Sequence, residues 1–523
     1  MTSMTLDKLP PEILGQCLPY LSDHDLSSLC LTNKGINRVA SVELYRVVTW
    51  VQTSAELIES RCFTSFLYPN HKKLQYIRHL NIESEDIMID DPYFPESSAP
   101  RIQNPIIGFM ICFFDRLAPN QLLSLSLDYA IRDLPTRFFH TQQNIHHLKM
   151  PAPNSPEQRD GILSLSSLTT LEITYIQPDR ACYVEQVLYN KRDTLQSLHL
   201  HFRETRMELR GEFARETKLQ SLRSLFSALI GDSNVPGSGP APRLINICID
   251  SLLVDKTFDM DWGKIFDLPK LRKFEIVHPI IRIPHRISNC EPLTVSIENH
   301  ISKMAHLTHL RIDNVKQIDL LDQTLMCISS LRGLHLELLE PGVLPSKAAL
   351  WPHKNSLEYL WFRCRPSPNP SEKLNEPGNN YIFPPDFAEF KKLDQLALPF
   401  DPKMISSLPR LDTLRLLRIL ARETTRPIDP DKGIALEIEE GLLSGIKNEF
   451  FPPSRNTGQL LVMFGYGGSS LGARGWSEKL FSTNILAAGV PGYRKASVEE
   501  ARLWSPRLDM LEAECEWRRR FPN

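Results

Sequence analysis

Apolar residues in the middle of the chain recur in a six-residue unit, L-x-x-L-x-φ, in which φ is apolar. It stands at Leu122–Leu127, Leu168–Ile173, Leu195–Leu200, Leu307–Ile312, Leu331–Leu336, Leu357–Phe362, Leu393–Leu398 and Leu411–Leu416. Looser copies read IRHLNI, IHHLKM, LINICI and LRKFEI. About three strict copies are expected by chance in a chain of this leucine content, so the excess is a signal. Alternating apolar positions at the end of each unit predict a short strand with one buried face. The third-last residues of these units fall at 80, 125, 148, 171, 198, 247, 274, 310, 334, 360, 396 and 414. Six of the eleven intervals lie between 23 and 27 residues, and two more are near twice that. Stretches between strands, such as Cys182–Thr194, carry helical spacing and predict one helix per turn.

A period of this length with this motif resembles leucine-rich repeats, and the fold class it implies is an α/β repeat. No unit buries its apolar side alone, so stacking has to supply the core. The repeat zone is expected over residues 70–420, with 421–523 continuing the solenoid and ending in a capping helix near Ser505–Arg520. One departure matters. The positions where that family places a ladder of Asn or Cys hold Ala130, Ile176, Val315 and Arg365, which predicts irregular curvature and even a broken solenoid. The residue between the last two apolar positions points away from the core. Among these, His199, Arg311, His335, Trp361 and Arg415 are the candidate contacts for a protein ligand, with Trp361 expected to be exposed.

Residues 4–48 follow another pattern. From Pro11, apolar side chains at Ile13, Leu14, Cys17, Leu18 and Leu21 line one face of a helix, and Pro10–Pro11 suit its first turn. Ser22 or Asp23 caps a second helix bearing Leu26, Leu29 and Cys30. A third fits Asn33 to Leu44, and Leu44–Val48 leaves it as extended chain. The string from Leu9 to Val48 resembles an F-box, through Leu9, Pro10, Glu12, Ile13, Leu21, Asp25, Leu26, Leu29, Leu44 and Tyr45. Ile36 stands where that family often has an aromatic residue. The resemblance implies a three-helix module that docks on the Skp-type adaptor of a cullin–RING ubiquitin ligase. Leu14, Leu18 and Ile36 join the adaptor-facing set on this reading. A plain helical cap on the first repeat is the alternative.

Composition narrows the partners. In 523 residues, 60 basic and 62 acidic side chains leave a formal charge of −2, which argues against nucleic acid or anionic membrane as the general partner. Ten dispersed cysteines with no C-x-x-C pair predict reduced thiols of an intracellular protein. The N-terminus has no signal-peptide pattern, and the most apolar run, Ile106–Phe114, is far shorter than the ~20 residues that span a bilayer. A cytoplasmic or nuclear location follows as an expectation.

Two glycine-rich motifs resemble catalytic or phosphate-binding loops. Gly468–Gly472 matches G-x-S-x-G, but no histidine follows His353, so Ser470 lacks a base in the order that motif requires. Gly467–Gly472 has phosphate-loop spacing, but Ala473 stands where the lysine belongs. No zinc spacing occurs. The F-box resemblance, joined to a repeat zone, implies a non-enzymatic substrate receptor of an SCF-type ligase, for which no cofactor or metal is expected. A scaffold without ubiquitin transfer is the alternative, and a hydrolase or nucleotide site at Gly465–Gly475 the remote one.

Overall fold

The computed structural model describes residues 9–18, 21, 23–52, 72–84, 111–127, 134, 136–177, 180–202, 225, 243–250, 253–254, 262–277, 280–281, 301, 303–315, 318–338, 345–364, 387–399, 413–414, 416–420, 461–465, 479–485 and 491–495. The chain divides into two compact units, the first Met1–Ser251 with Lys264–Asp267, the second the remainder.

Unit 1 opens with three helices, α1 (Pro11–Cys17), α2 (Asp23–Cys30) and α3 (Lys34–Leu44). Pro10 stands at the N-cap of α1 with Pro11 in its first turn, where a missing N–H costs nothing. Asn33 caps α3, its side-chain oxygen accepting from the Ile36 N–H at 2.9 Å. Leu14, Leu18, Leu26, Ile36 and Ala40 close on one another, with Leu29, Cys30, Val39 and Leu44 packed around them. Each fully buried aliphatic side chain of this set contributes about 1.5–3 kcal/mol.

The sheet of unit 1 follows directly. Its strands are β1 (Val47–Gln52), β2 (His79–Ser84), β3 (Ser124–Leu127), β4 (His147–Pro151), β5 (Thr170–Ile176), β6 (Ser197–Phe202) and β7 (Asn246–Asp250). All pair in parallel and in chain order. The first strand thus begins inside the range expected for the helical module and lies ahead of the expected repeat zone. Val48, Leu80, Leu125, Leu148, Leu171, Leu198 and Ile247 share one register line. The strand-entry backbone repeats too: the Arg46 carbonyl accepts from Arg78 and His79, and the Arg78 carbonyl from Leu123 and Ser124. Helices Thr136–Thr141, Pro156–Ser164 and Ala181–Lys191 return the chain between strands. Residues 111–114, the end of the apolar run Ile106–Phe114, lie in a helical turn. Their Phe113 and Phe114 continue an aromatic file from Trp50 to Phe138 and Phe139.

In unit 2, β8 (Leu253–Val254) pairs with β10 (Ile280–Ile281). The main sheet runs β9 (Lys273–Val277), β11 (His309–Val315), β12 (Gly333–Leu338), β13 (Tyr359–Cys364), β14 (Gln395–Pro399), β15 (Leu416–Leu420) and β16 (Leu461–Gly465), again parallel. The last two strands, β17 (Lys479–Ile485) and β18 (Pro491–Lys495), turn antiparallel. Phe274, Leu310, Leu334, Leu360 and Leu396 hold the expected register, but their partner on β15 is Leu417, not Leu414. The leucine-dense run from Leu411 to Leu420 contains the motif in two frames, and the pairing uses the later one. Arg415, residues 466–475 of the glycine-rich loop, and the expected C-terminal helix lie outside the described residues.

Within each unit, pairing runs without a break although the Asn/Cys ladder is missing. Ile176 and Val315, at two of its positions, are strand residues instead, paired with Phe202 and Leu338. Other buried polar side chains tie successive turns. Gln121 Nε2 donates to the Ile77 carbonyl at 3.0 Å. The Gln142 amide accepts from Leu122 N–H at 3.0 Å and donates to the Ala118 carbonyl at 2.8 Å. Lys191 Nζ donates to the carbonyls of Leu163 and Leu165, and His353 accepts from the Leu331 N–H and reaches the Leu325 carbonyl at 3.0 Å. Each spends its polar atoms on backbone that would otherwise be buried unpaired.

Candidate functional site

Two kinds of surface are open to a partner: the helical module, and the outward face of each sheet.

On the module, closing the three-helix core decides which side chains remain outside. Leu14, Leu18, Leu26 and Ile36, expected to face an adaptor, are interior. Leu29 and Leu44 pack half-buried against that interior. Three helices this short have no other source of core, so their best inward positions are consumed at home. Ile13 and Leu21 stay 45% and 38% exposed, and Pro10, Glu12 and Asp25 are exposed beside a half-buried Leu9. Leu31, which the sequence reading passed over, is 86% exposed. Its position just past α2, in the turn where Leu31 N–H bonds the Ser28 carbonyl, is the signal that could have singled it out. Tyr45 turns the other way: Lys73 Nζ lies 4.7 Å over its ring, within the same unit. Tyr45, half-buried, thereby contacts the 3-10 turn Lys72–Tyr76 that leads into β2.

The outward face of unit 1 carries a charged row. Lys149, Glu172 and His199 occupy matching register positions on β4, β5 and β6. Glu172 Oε1 lies 2.6 Å from Lys149 Nζ and 3.5 Å from His199 Nδ1. Burial would raise the Glu172 carboxyl, but the His199 hydrogen bond and the Lys149 charge outweigh it and hold the group at about 2. A bulge follows between Ile173 and Ile176, so Thr174 and Tyr175 together oppose the single residue His201. It puts Tyr175 at φ 55°, a left-handed conformation costly for a bulky residue, and stacks its ring on His201 at 5.6 Å.

Unit 2 repeats the device. Its bulge lies between Ile312 and Val315, at the same offset from the strand leucine. Asp313, only 2% exposed, receives both Nε and Nη2 of Arg311, at 3.2 and 3.3 Å, and His335 Nε2 stands 3.7 Å away. The His335 ring stacks on Trp361 with centroids 4.7 Å apart and planes at 9°. His335 is 4% exposed and Trp361 half-buried, against the expectation of open side chains. Strands about 4.8 Å apart bring large upright side chains into mutual contact, so each shields the next. The structure thus joins Arg311, His335 and Trp361 through Asp313, which sequence reasoning missed; His199 belongs to unit 1. On β15, the residue in register with Ala397 is Arg418.

Among the described residues no group of three or more His, Cys, Asp or Glu could hold a metal ion. No helix of the described residues is long and apolar enough to cross a membrane.

No protein-family model and no curated protein matches the chain. Among solved structures it is similar to the crystal structure of the TLR13–ssRNA13 complex, at 13% identity and a TM-score of 0.28 over 67% of this chain and 46% of that one. It is also similar to the Leptospira interrogans LRR protein LIC12759, at 12% identity and a TM-score of 0.22 over 71% of this chain and 89% of that one. The chain thus spans less than half the length of the first. The repeat architecture itself stands on the strands and registers described above.

Proposed function

We propose that the chain is a substrate receptor of an SCF-type cullin–RING ubiquitin ligase, with the helical module holding the Skp-type adaptor and the outward sheet faces holding a protein substrate. The observation that carries the reading is the module's division of apolar side chains. It closes its own core and still leaves Ile13, Leu21 and Leu31 outside, on a module that begins with the F-box-like Leu9–Pro10 pair. Exposed aliphatic side chains of this size are available as anchors for a partner. The chain continues from α3 through Tyr45 into β1 within one unit, so an adaptor held by the helices would be fixed relative to that face. The receptor would contribute proximity; the ubiquitin-transfer chemistry belongs to other subunits.

Co-expression with a Skp-type adaptor and affinity capture test this. Wild type is expected to retain the adaptor, and Ile13→Asp with Leu31→Asp to weaken capture at least about tenfold, because exposed apolar anchors carry such interfaces. Both changes lie outside the module's core, so the fold is preserved. Failure of wild type to bind, or equal binding by the double variant, overturns the reading.

A further inference from the structure

On the outward face of unit 1, strand β3 differs from its neighbours. Its outward residues are Ser124 and Ser126, both half-buried. At the same register positions β2 carries His79 and Asn81, and β4 carries His147 and Lys149. Two short side chains between two longer pairs leave a notch over β3, with roughly 10 Å between the strands that wall it. Both walls lean away from it at the Ser126 level. Asn81 Nδ2 donates to Thr49 Oγ1 on β1 at 3.3 Å, and Lys149 Nζ reaches Glu172 on β5 at 2.6 Å.

The charge around the notch is cationic. Burial first, then Arg46 and His147, hold His79 below its ordinary 6.5, with Glu43 opposing and Arg78 adding. His147, on the exposed side of β4, is lowered by desolvation first, with Glu172 opposing and Lys149 adding. Arg78 Nη1 donates to the carbonyls of Gln75 and Ile77 at 2.8 and 3.0 Å, so those bonds leave its charge uncancelled. An anion in the notch relieves this mutual repulsion. Its form follows from the donors. Hydroxyls and imidazoles offer single-point bonds, which suit a carboxylate. A phosphoryl group favours a guanidinium fork, and here Arg46 is engaged with Glu43 at 3.4 Å.

We propose that the notch over β3 receives an acidic segment of a protein substrate, one glutamate or aspartate carboxylate resting on the Ser124 and Ser126 hydroxyls between His79 and His147. The site presupposes the receptor reading given above, in which the sheet face holds substrate. A bound carboxylate favours the charged imidazoles, so binding takes up protons and tightens as pH falls toward about 6. Arg46, Arg78, Glu43, Lys149 and Glu172 are the charged groups that bear on the two rings. Carboxylates, ammonium and guanidinium groups ordinarily keep their charge between about pH 6 and about pH 7.5, which leaves the histidines to titrate.

Fluorescence anisotropy of labelled hexaglutamate on the full chain, without adaptor, makes the test. At about pH 6 it should bind at least about tenfold tighter than hexaglutamine, and at least about threefold tighter than at about pH 7.5. Ser126→Ile fills the notch with a side chain that strands accept, and should weaken binding at least about tenfold. His79→Gln with His147→Gln should remove most of the pH dependence. A wild-type urea midpoint reports that each variant is folded; His147 is exposed, so His147→Gln alone stands in where another variant does not fold. Equal binding of hexaglutamate and hexaglutamine overturns the proposal. So does wild-type affinity in folded Ser126→Ile, an unchanged pH dependence in the folded histidine variant, or a phosphoserine peptide of equal length binding at least about tenfold tighter than hexaglutamate. Adaptor capture is measured separately, so failure here and failure of the receptor reading are told apart.

Discussion

Gly161 sits where helix Pro156–Ser164 presses on the aromatic file, and a Cβ built there would lie 2.6 Å from Phe139 Cδ2 and 3.3 Å from Phe139 Cβ. Phe139 is fully buried and stacked edge-on against Phe138, so its ring has nowhere to retreat. Alanine would add up to about 1 kcal/mol of helix propensity. The overpacking it causes costs more, so Gly161→Ala is expected to destabilise unit 1 by about 1–2 kcal/mol net. Equal or greater stability in urea would mean that the ring shifts freely. The same economy of space governs the polar ties. Lys191 and His353 stand at the same offset before Leu198 and Leu360, and each reaches back to the preceding turn. Neither resembles the small amide of the leucine-rich-repeat ladder, so the turns are held although asparagines are absent from the ladder positions.

The elements were legible where apolar spacing alone decides them. The strand register held from Leu80 to Leu396 because a slip of one residue would turn every leucine of a strand to solvent. It failed at Leu414, where consecutive leucines satisfy two frames. The bulges at Thr174–Tyr175 and Asp313–Asn314 were invisible for a related reason: an extra residue changes parity without a composition marker. They place Tyr175 and Asp313, so the best-built parts of the candidate surfaces were the least readable. In the helical module, α3 was read to within one residue, and Asn33 as its start. Its side chain holds the Ile36 N–H, and Asn37 binds the Cys30 carbonyl, locking α2 to α3. Asn33→Ala is expected to cost about 1 kcal/mol, as for other lost N-caps. Hydrogen exchange of the amides in α3 should accelerate accordingly; unchanged protection would show that packing on Leu14 and Leu26 alone sustains the helix.

At the scale of the molecule, each unit is a stack in which buried titratable groups tie one turn to the next, so acidity should be felt by the fold. His353 is fully buried; its Nδ1 accepts from the Leu331 N–H, which leaves Nε2–H to donate to the Leu325 carbonyl. That arrangement needs the neutral ring, and burial holds its pKa below the ordinary 6.5. His309 in the same unit is lowered as well, first by burial and then by Lys273. A group whose folded pKa is depressed prefers to take its proton in the unfolded chain. Stability is therefore full above the unfolded value near 6.5, and declines as pH falls below it toward the lowered folded value. Glu172 acts in a different window: its contribution is lost only between the ordinary 4.5 and about 2. Urea unfolding at about pH 7.5 and about pH 5.5 thus isolates the histidines. Wild type should be less stable at the lower pH, and His353→Gln, which cannot titrate, should lose less on acidification even if its stability at neutral pH is lower. The same decline in both proteins would mean that His353 is free to protonate in place, and that the tie between Leu325 and Leu331 does not depend on a neutral ring.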